Sequence, residues 1–119
     1  MHHARFAHSR LAAYPVMLDA LLRGDAIACA LPRGYAKLKD QLQRALQGAF
    51  LQFVEGVARE GADRKSRLRI ARAEAGEAAA CLDAVRGLRL APAQDPEEII
   101  ALLDRFAAIV TGLGQLGDT

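Results

Sequence analysis

The sequence predicts an all-α protein, an antiparallel up-down-up-down four-helix bundle in a single domain, and three observations lead there. Alanine and leucine supply much of an apolar content of 52%, aromatic residues make up 5% and tryptophan is absent, a composition that favours helices over sheets. Apolar residues recur at steps of three and four in four separate stretches, the period of a helix with one buried face. Proline, glycine and aspartate punctuate the gaps between those stretches, so the connections are short and consecutive helices run antiparallel. A chain of 119 residues is one domain by length and can bury roughly two-thirds of its unfolded surface in one core.

Residues 1–10 carry His2, His3 and His8 without an apolar period and read as a flexible arm; the bundle spans 11–116, and 117–119 is a tail. The first helix runs from residue 11 or 13 to 29, with Pro15 tolerated in its first turn and Tyr14, Leu18, Leu21, Leu22 and Ala28 as its core positions, although Gly24 and Asp25 blur the pattern. Pro32 and Gly34 then turn the chain. The second helix covers 35–59, and Leu38, Leu42, Ala45, Ala49, Phe53 and Val57 share one face that Leu46 and Phe50 widen. A break over 60–63 follows, with Asp63 or its neighbour as N-cap of the third helix. That helix has the most regular seam, Leu68, Ala71, Ala75, Ala78, Leu82 and Val85 at alternating steps of three and four, and its three central alanines admit close approach of another backbone. After a loop containing Pro92, Asp95 reads as an N-cap, Pro96 as the first helical residue, and Glu97 and Glu98 as acids suited to the positive end of the helix dipole. The fourth helix continues through Ile99, Leu102, Leu103, Phe106, Ile109, Val110 and Leu113 until Gly112, Gly114 and Gly117 fray it.

Several classes of chemistry lack their residues. Cys29 and Cys81 have no metal-site spacing and read as small buried hydrophobes in a reduced cytosol. No stretch approaches a membrane span, and the first ten residues lack the apolar core of a signal peptide, so the expected location is cytoplasmic. A di-metal carboxylate site needs paired Glu-x-x-His motifs, and here Glu74-x-x-Glu77 has no histidine beyond residue 8 to complete it. The domain body offers no histidine to activate a nucleophile, and no glycine-rich phosphate loop follows a strand. The expectation is no catalytic residue, no cofactor and no metal.

Charge is distributed unevenly behind a net +2. Between residues 33 and 72 ten Lys/Arg face four Asp/Glu, whereas residues 73–119 hold three Arg against eight acids. Arg59, Arg64, Lys65, Arg67, Arg69 and Arg72 form the densest basic run, Lys37 adds to the basic face of the second helix, and Lys65, Arg69 and Arg72 stand at steps that share one helical face. Such a row neutralises phosphates in a salt-sensitive, largely sequence-independent way. The competing reading is a solvated face neutralised by the acidic fourth helix of a neighbouring subunit. Few aromatic residues accompany the run, so stacking on bases has little support. Gln41, Arg44, Glu55 and Glu77 border otherwise apolar faces and are expected to form a structural polar cluster in which Arg44 pairs with a glutamate. Phe50, Leu51 and Ile70 lie outside the tightest stripes and leave surface for neighbouring copies.

The segments LPRGY at 31–35, QLQRA at 41–45, VEG at 54–56 and IARAEAGE at 70–77 occur in an order and spacing that resembles the small four-helix-bundle proteins encoded in intervening sequences of bacterial 23S rRNA genes. The accessory variability determinant of diversity-generating retroelements, a relative of that family, is similar over the same region. The resemblance covers about residues 11–90, with Leu31 and Pro32 at the family's turn, Gln41 and Arg44 at its polar pair, Glu55-Gly56 at its Glu-Gly and Glu77 at its third-helix glutamate. Gln52 stands where the family usually has Asn, and Ala73-Glu74 where it usually has Gly-Ser. The resemblance implies a non-enzymatic homo-pentamer with a basic surface for RNA or DNA, or for a nucleic-acid-handling protein such as a reverse transcriptase. The alternative is a protein–protein adaptor that binds no nucleic acid.

Overall fold

Residues 6–116 are described by a computed structural model of the chain. The four apolar periods become four helices, α1 (Ala13–Ala30), α2 (Ala36–Val57), α3 (Gly61–Gly87) and α4 (Gln94–Leu116). Each packs on two neighbours, α2 most extensively on α3, α3 next on α4, and α1 closing the ring against α2 and α4, which is the adjacency of an up-down-up-down bundle. Among the described residues no helix is long and apolar enough to cross a membrane.

The seam of α3 is buried as its spacing requires: Leu68, Ala71, Ala75, Ala78, Leu82 and Val85 are all in the core. On α2 the core residues are Leu42, Ala45, Leu46, Ala49, Phe53 and Val57, with Leu38 and Phe50 half-buried at the edges of the stripe. Ile99, Leu103, Phe106 and Val110 anchor α4. At the centre Phe53 and Phe106 meet edge to face across the bundle, centroids 5.5 Å apart and planes at 81°, an arrangement that adds quadrupole attraction to the area both rings bury.

The inward face of α1 differs from its expected one. Leu22 is 63% exposed, and Tyr14, Leu18 and Leu21 are half-buried, while Ala13, Val16, Met17, Ala20, Gly24 and Ala28 face the core. Close approach to α2 explains the choice of small residues: a Cβ on Gly24 would stand 2.5 Å from Cδ1 of Leu46, itself fully buried. Gly24 therefore belongs to the packing face, and the leucines fall to its flanks and back. Cys29 lies one residue beyond that face and is exposed, and Cys81 is half-buried. Both are free thiols, and their exposure shows that neither is the fully buried hydrophobe the sequence implied.

Helix ends also shift. Gly61, at φ +60°, opens α3 directly after Glu60, which places Asp63 in the first turn and not at the cap. Gln94 opens α4, so Asp95 likewise falls in the first turn, where it still complements the dipole, and Pro96 is fully buried. Gly112 and Gly114 do not fray α4, which runs to Leu116 because Val110 and Leu113 continue its contact with the core. Residues 6–10 form turns ahead of α1, with the His8 ring 4.7 Å from Tyr14 and Tyr14 5.8 Å from Phe50. His2, His3 and the tail at 117–119 lie outside the described residues.

Candidate nucleic-acid interface

The basic run divides into two groups according to where α3 directs each side chain. Residues 58–60 join α2 to α3 at a tight corner, and three arginines close it. Arg64 donates from Nη1 to the carbonyl of Val57 at 3.2 Å, satisfying one of the orphan carbonyls at the end of α2. Arg67 donates from Nη1 to Glu55 Oε2 at 2.7 Å and from Nε to Asp63 Oδ1 at 3.2 Å. Arg59 reaches the same two acids at 4.0 Å and 3.8 Å. Two cations and two carboxylates thus form a locally neutral quartet joining α2 to the first turns of α3. These arginines are engaged in the fold.

Lys65, Arg69 and Arg72 occupy a different face. With Leu68 of α3 and Val110, Thr111 and Gly114 of α4 they line a cleft of about 200 Å³. Leu68 and Val110 are 2% and 1% exposed and form an apolar floor, which strengthens the field of the cations above it. Arg72 donates from Nη1 to Thr111 Oγ1 at 3.0 Å, and the Thr111 hydroxyl donates to the Ala107 carbonyl at 2.8 Å. The hydroxyl proton is thereby committed, so Thr111 acts by orienting Arg72, whose guanidinium keeps its remaining donors. Among the described residues Arg69 enters no ion pair or hydrogen bond. Because α3 and α4 are antiparallel, these cations also lie beside the C-terminal turns of α4 and complement the negative end of its dipole.

Lys37 is not part of this group. It sits at the start of α2 beside an open apolar hollow lined by Tyr35, Leu38, Gln41, Cys81 and Leu88, at the end of the bundle where α3 finishes. Of the sequence-predicted cations, Lys65, Arg69 and Arg72 are brought together at the cleft; Arg59, Arg64 and Arg67 are brought together at the corner.

The expected polar cluster of Gln41, Arg44, Glu55 and Glu77 does not form. No polar or charged residue is fully buried among those described. Arg44 is highly exposed and pairs with Asp40 one turn earlier at 3.6 Å, Glu55 belongs to the corner quartet, and Gln41 and Glu77 are exposed. The reason is helical phase: Leu42, Ala45 and Leu46 take the inward direction on α2, and Ala75 and Ala78 take it on α3.

Further along the α2–α3 contact the half-buried polar residue is Glu74. Its carboxylate lies over Gly48, where an added Cβ would collide with Oε2. Burial holds the Glu74 carboxyl above its ordinary range, and the like charge of Glu77 raises it further, partly offset by Arg44. An isolated glycine inside a strongly helical pattern was the available signal, since such a position marks close approach. Burial, then Glu77, pushes the Cys81 thiol up as well, away from a reactive thiolate. Among the described residues no three His, Cys, Asp or Glu side chains gather where they could hold a metal ion.

No family model matches the chain, and no curated protein matches it.

Proposed function

We propose that this chain is a non-enzymatic bacterial scaffold of the kind encoded in 23S rRNA intervening sequences, working in the cytoplasm as a homo-pentamer whose basic face engages nucleic acid. The contact is with RNA or DNA backbone, alone or together with a nucleic-acid-handling protein such as a reverse transcriptase. The observation that carries the binding half is the convergence of Lys65, Arg69 and Arg72 on one cleft, with Arg69 engaged by no carboxylate among the described residues. Phosphate contacts of this type release counterions, so affinity falls steeply with salt. Assembly draws on the sequence resemblance and on Leu51 and Ile70, 58% and 43% exposed on α2 and α3.

A second reading has its own observation. Arg59 and Arg67 are neutralised within the chain, which leaves a compact basic spot and not a long track. A spot of that size suits acidic side chains of a protein partner, and the chain is then an adaptor.

Light scattering of the full chain, alone and with a short duplex or single-stranded RNA at about 50 mM and about 200 mM salt, separates these. The scaffold reading expects a five-fold mass that rises with nucleic acid and returns at the higher salt. A pentamer indifferent to nucleic acid favours the adaptor. A monomer that ignores nucleic acid overturns the scaffold reading.

A further inference from the structure

The cleft between α3 and α4 is narrower in what it admits than a general basic face. Its volume of about 200 Å³ lies below the roughly 300 Å³ at which pockets begin to hold drug-sized ligands. A single phosphate group fits within it, and the sugar and base of a nucleotide would lie outside, where the cleft opens to solvent.

Three features select such a group. Lys65, Arg69 and Arg72 stand at steps of four and three along α3, so their charges converge from one wall. Thr111, on the opposite wall, fixes Arg72 and presents no free hydroxyl proton. Leu68 and Val110 close the floor with apolar atoms. Holding the Arg69 and Arg72 guanidiniums over an apolar floor is unfavourable in isolation and becomes favourable when an anion joins them. The acid next along the groove, Asp104, lines the neighbouring hollow, which it shares with Arg72, and is not among the residues of this cleft.

We infer that this cleft is a seat for one phosphate monoester, such as the terminal phosphate of a nucleic-acid strand. A monoester carries close to two negative charges at neutral pH, which answers the Arg69 and Arg72 guanidiniums better than the single charge of a diester. It also enters from a chain end with a sugar on one side only, whereas a diester brings one on either side of the group to be seated. Arg69 supplies a guanidinium with no partner among the described residues, Arg72 is the positioned one, and Lys65 also lines the cleft. The assignment rests on the reading of the basic face as a phosphate contact and names the form of phosphate it takes.

The test uses the full chain with three probes: inorganic phosphate, and one single-stranded RNA carrying either a 5′-phosphate or a 5′-hydroxyl. Amide and guanidinium NMR signals report the site, with chloride at matched ionic strength as control, and fluorescence anisotropy reports affinity. Inorganic phosphate shifts Arg69, Arg72, Thr111 and Gly114, and the 5′-phosphate RNA binds about five-fold or more tightly than its 5′-hydroxyl twin. Arg69→Ala removes that preference. So does Gly114→Glu, which places a carboxylate at the cleft from a position where a new Cβ meets no atom within 4 Å, so the fold tolerates it. Equal affinity for the two RNAs, with shifts confined to Arg59 and Arg64 at the corner, overturns the seat and leaves the nucleic-acid reading standing. Phosphate shifts at the cleft with no binding of either RNA support the seat for free phosphate and overturn the nucleic-acid reading. No shift and no binding overturns both.

Discussion

Arg72 of α3 donates to Thr111 of α4 at 3.0 Å, and the threonine hydroxyl in turn donates a hydrogen bond to the Ala107 carbonyl at 2.8 Å. One hydrogen bond thus ties a helix–helix contact to the orientation of a cation lining the cleft. Thr111→Val keeps the shape and removes both bonds. It should lower stability by no more than about 1 kcal/mol, because the site is only half-buried, while weakening binding of a phosphorylated strand several-fold. Urea denaturation and anisotropy on the same variant check the two halves.

Arg67 and Arg69 are two residues apart and should fail in different ways. Arg67→Ala breaks a bridge to Glu55 and Asp63 whose arginine side chain is 28% exposed, and should cost on the order of 1 kcal/mol of stability. Arg69→Ala leaves the urea midpoint unchanged and reduces nucleic-acid affinity. A loss of stability for Arg69→Ala would show that it has a structural role after all.

Gly24 and Gly76 make a matched pair of substitutions with opposite signs. Gly24→Ala drives a Cβ to 2.5 Å from buried Leu46 and should destabilise by about 1–3 kcal/mol. Gly76 is in α3 with nothing within 4 Å of a new Cβ, so Gly76→Ala should stabilise by about 0.5–1 kcal/mol through helix propensity alone. If Leu46 is the obstacle, Gly24→Ala combined with Leu46→Ala will be clearly less destabilising than the sum of the single changes.

Phe53 and Phe106 hold the centre, and truncating either leaves a cavity at a fully buried site. Phe106→Ala should cost about 3–5 kcal/mol, a large part of the total stability of a domain this size. Phe106→Leu should cost markedly less. Thermal melts of both variants decide whether the edge-to-face pair is as central as its position.

Two glutamates give opposite pH dependences. Burial and Glu77 raise the Glu74 carboxyl, so the folded state holds this proton more tightly than the unfolded chain. Its contribution is most favourable below the ordinary glutamate pKa and is lost as pH rises through the folded-state value. Glu74→Gln should therefore raise the urea midpoint at neutral pH and match the parent in acid. Glu98 is held below the ordinary range by hydrogen bonds from Gln94 and then Arg23, so its contribution is present above that range and is lost as pH falls through the lowered value. Arg23→Ala, which removes the α1–α4 ion pair to Glu98, should weaken the protein at neutral pH and less so in acid.

Much of the bundle was legible because a 3.6-residue period is written wherever one face is large and apolar. The seam from Leu68 to Val85 and the stripe from Leu42 to Val57 needed no partner to be recognised, since leucine, phenylalanine and alanine recur there in phase. In α1 the period failed as a guide. Apart from Val16 and Met17 its packing face is made of Ala13, Ala20, Gly24 and Ala28, which carry little hydrophobic signal, while Leu22 carries much and faces away. Close approach, not apolar area, selects such a face, and it depends on Leu46 of another helix.

The site shows the same division. Composition and spacing alone determined an all-α domain, a basic stretch ending at Arg72 and a row of Lys65, Arg69 and Arg72 on one helical face. Only the tertiary structure decided that Arg59, Arg64 and Arg67 close the α2–α3 corner, that Arg44 turns to Asp40, and that Thr111 comes to Arg72 from 39 residues away. The reason is physical. Helical periodicity is a short-range property of one chain segment, whereas the pairing of a charge is settled by whichever opposite charge or carbonyl a second helix brings within about 3–4 Å.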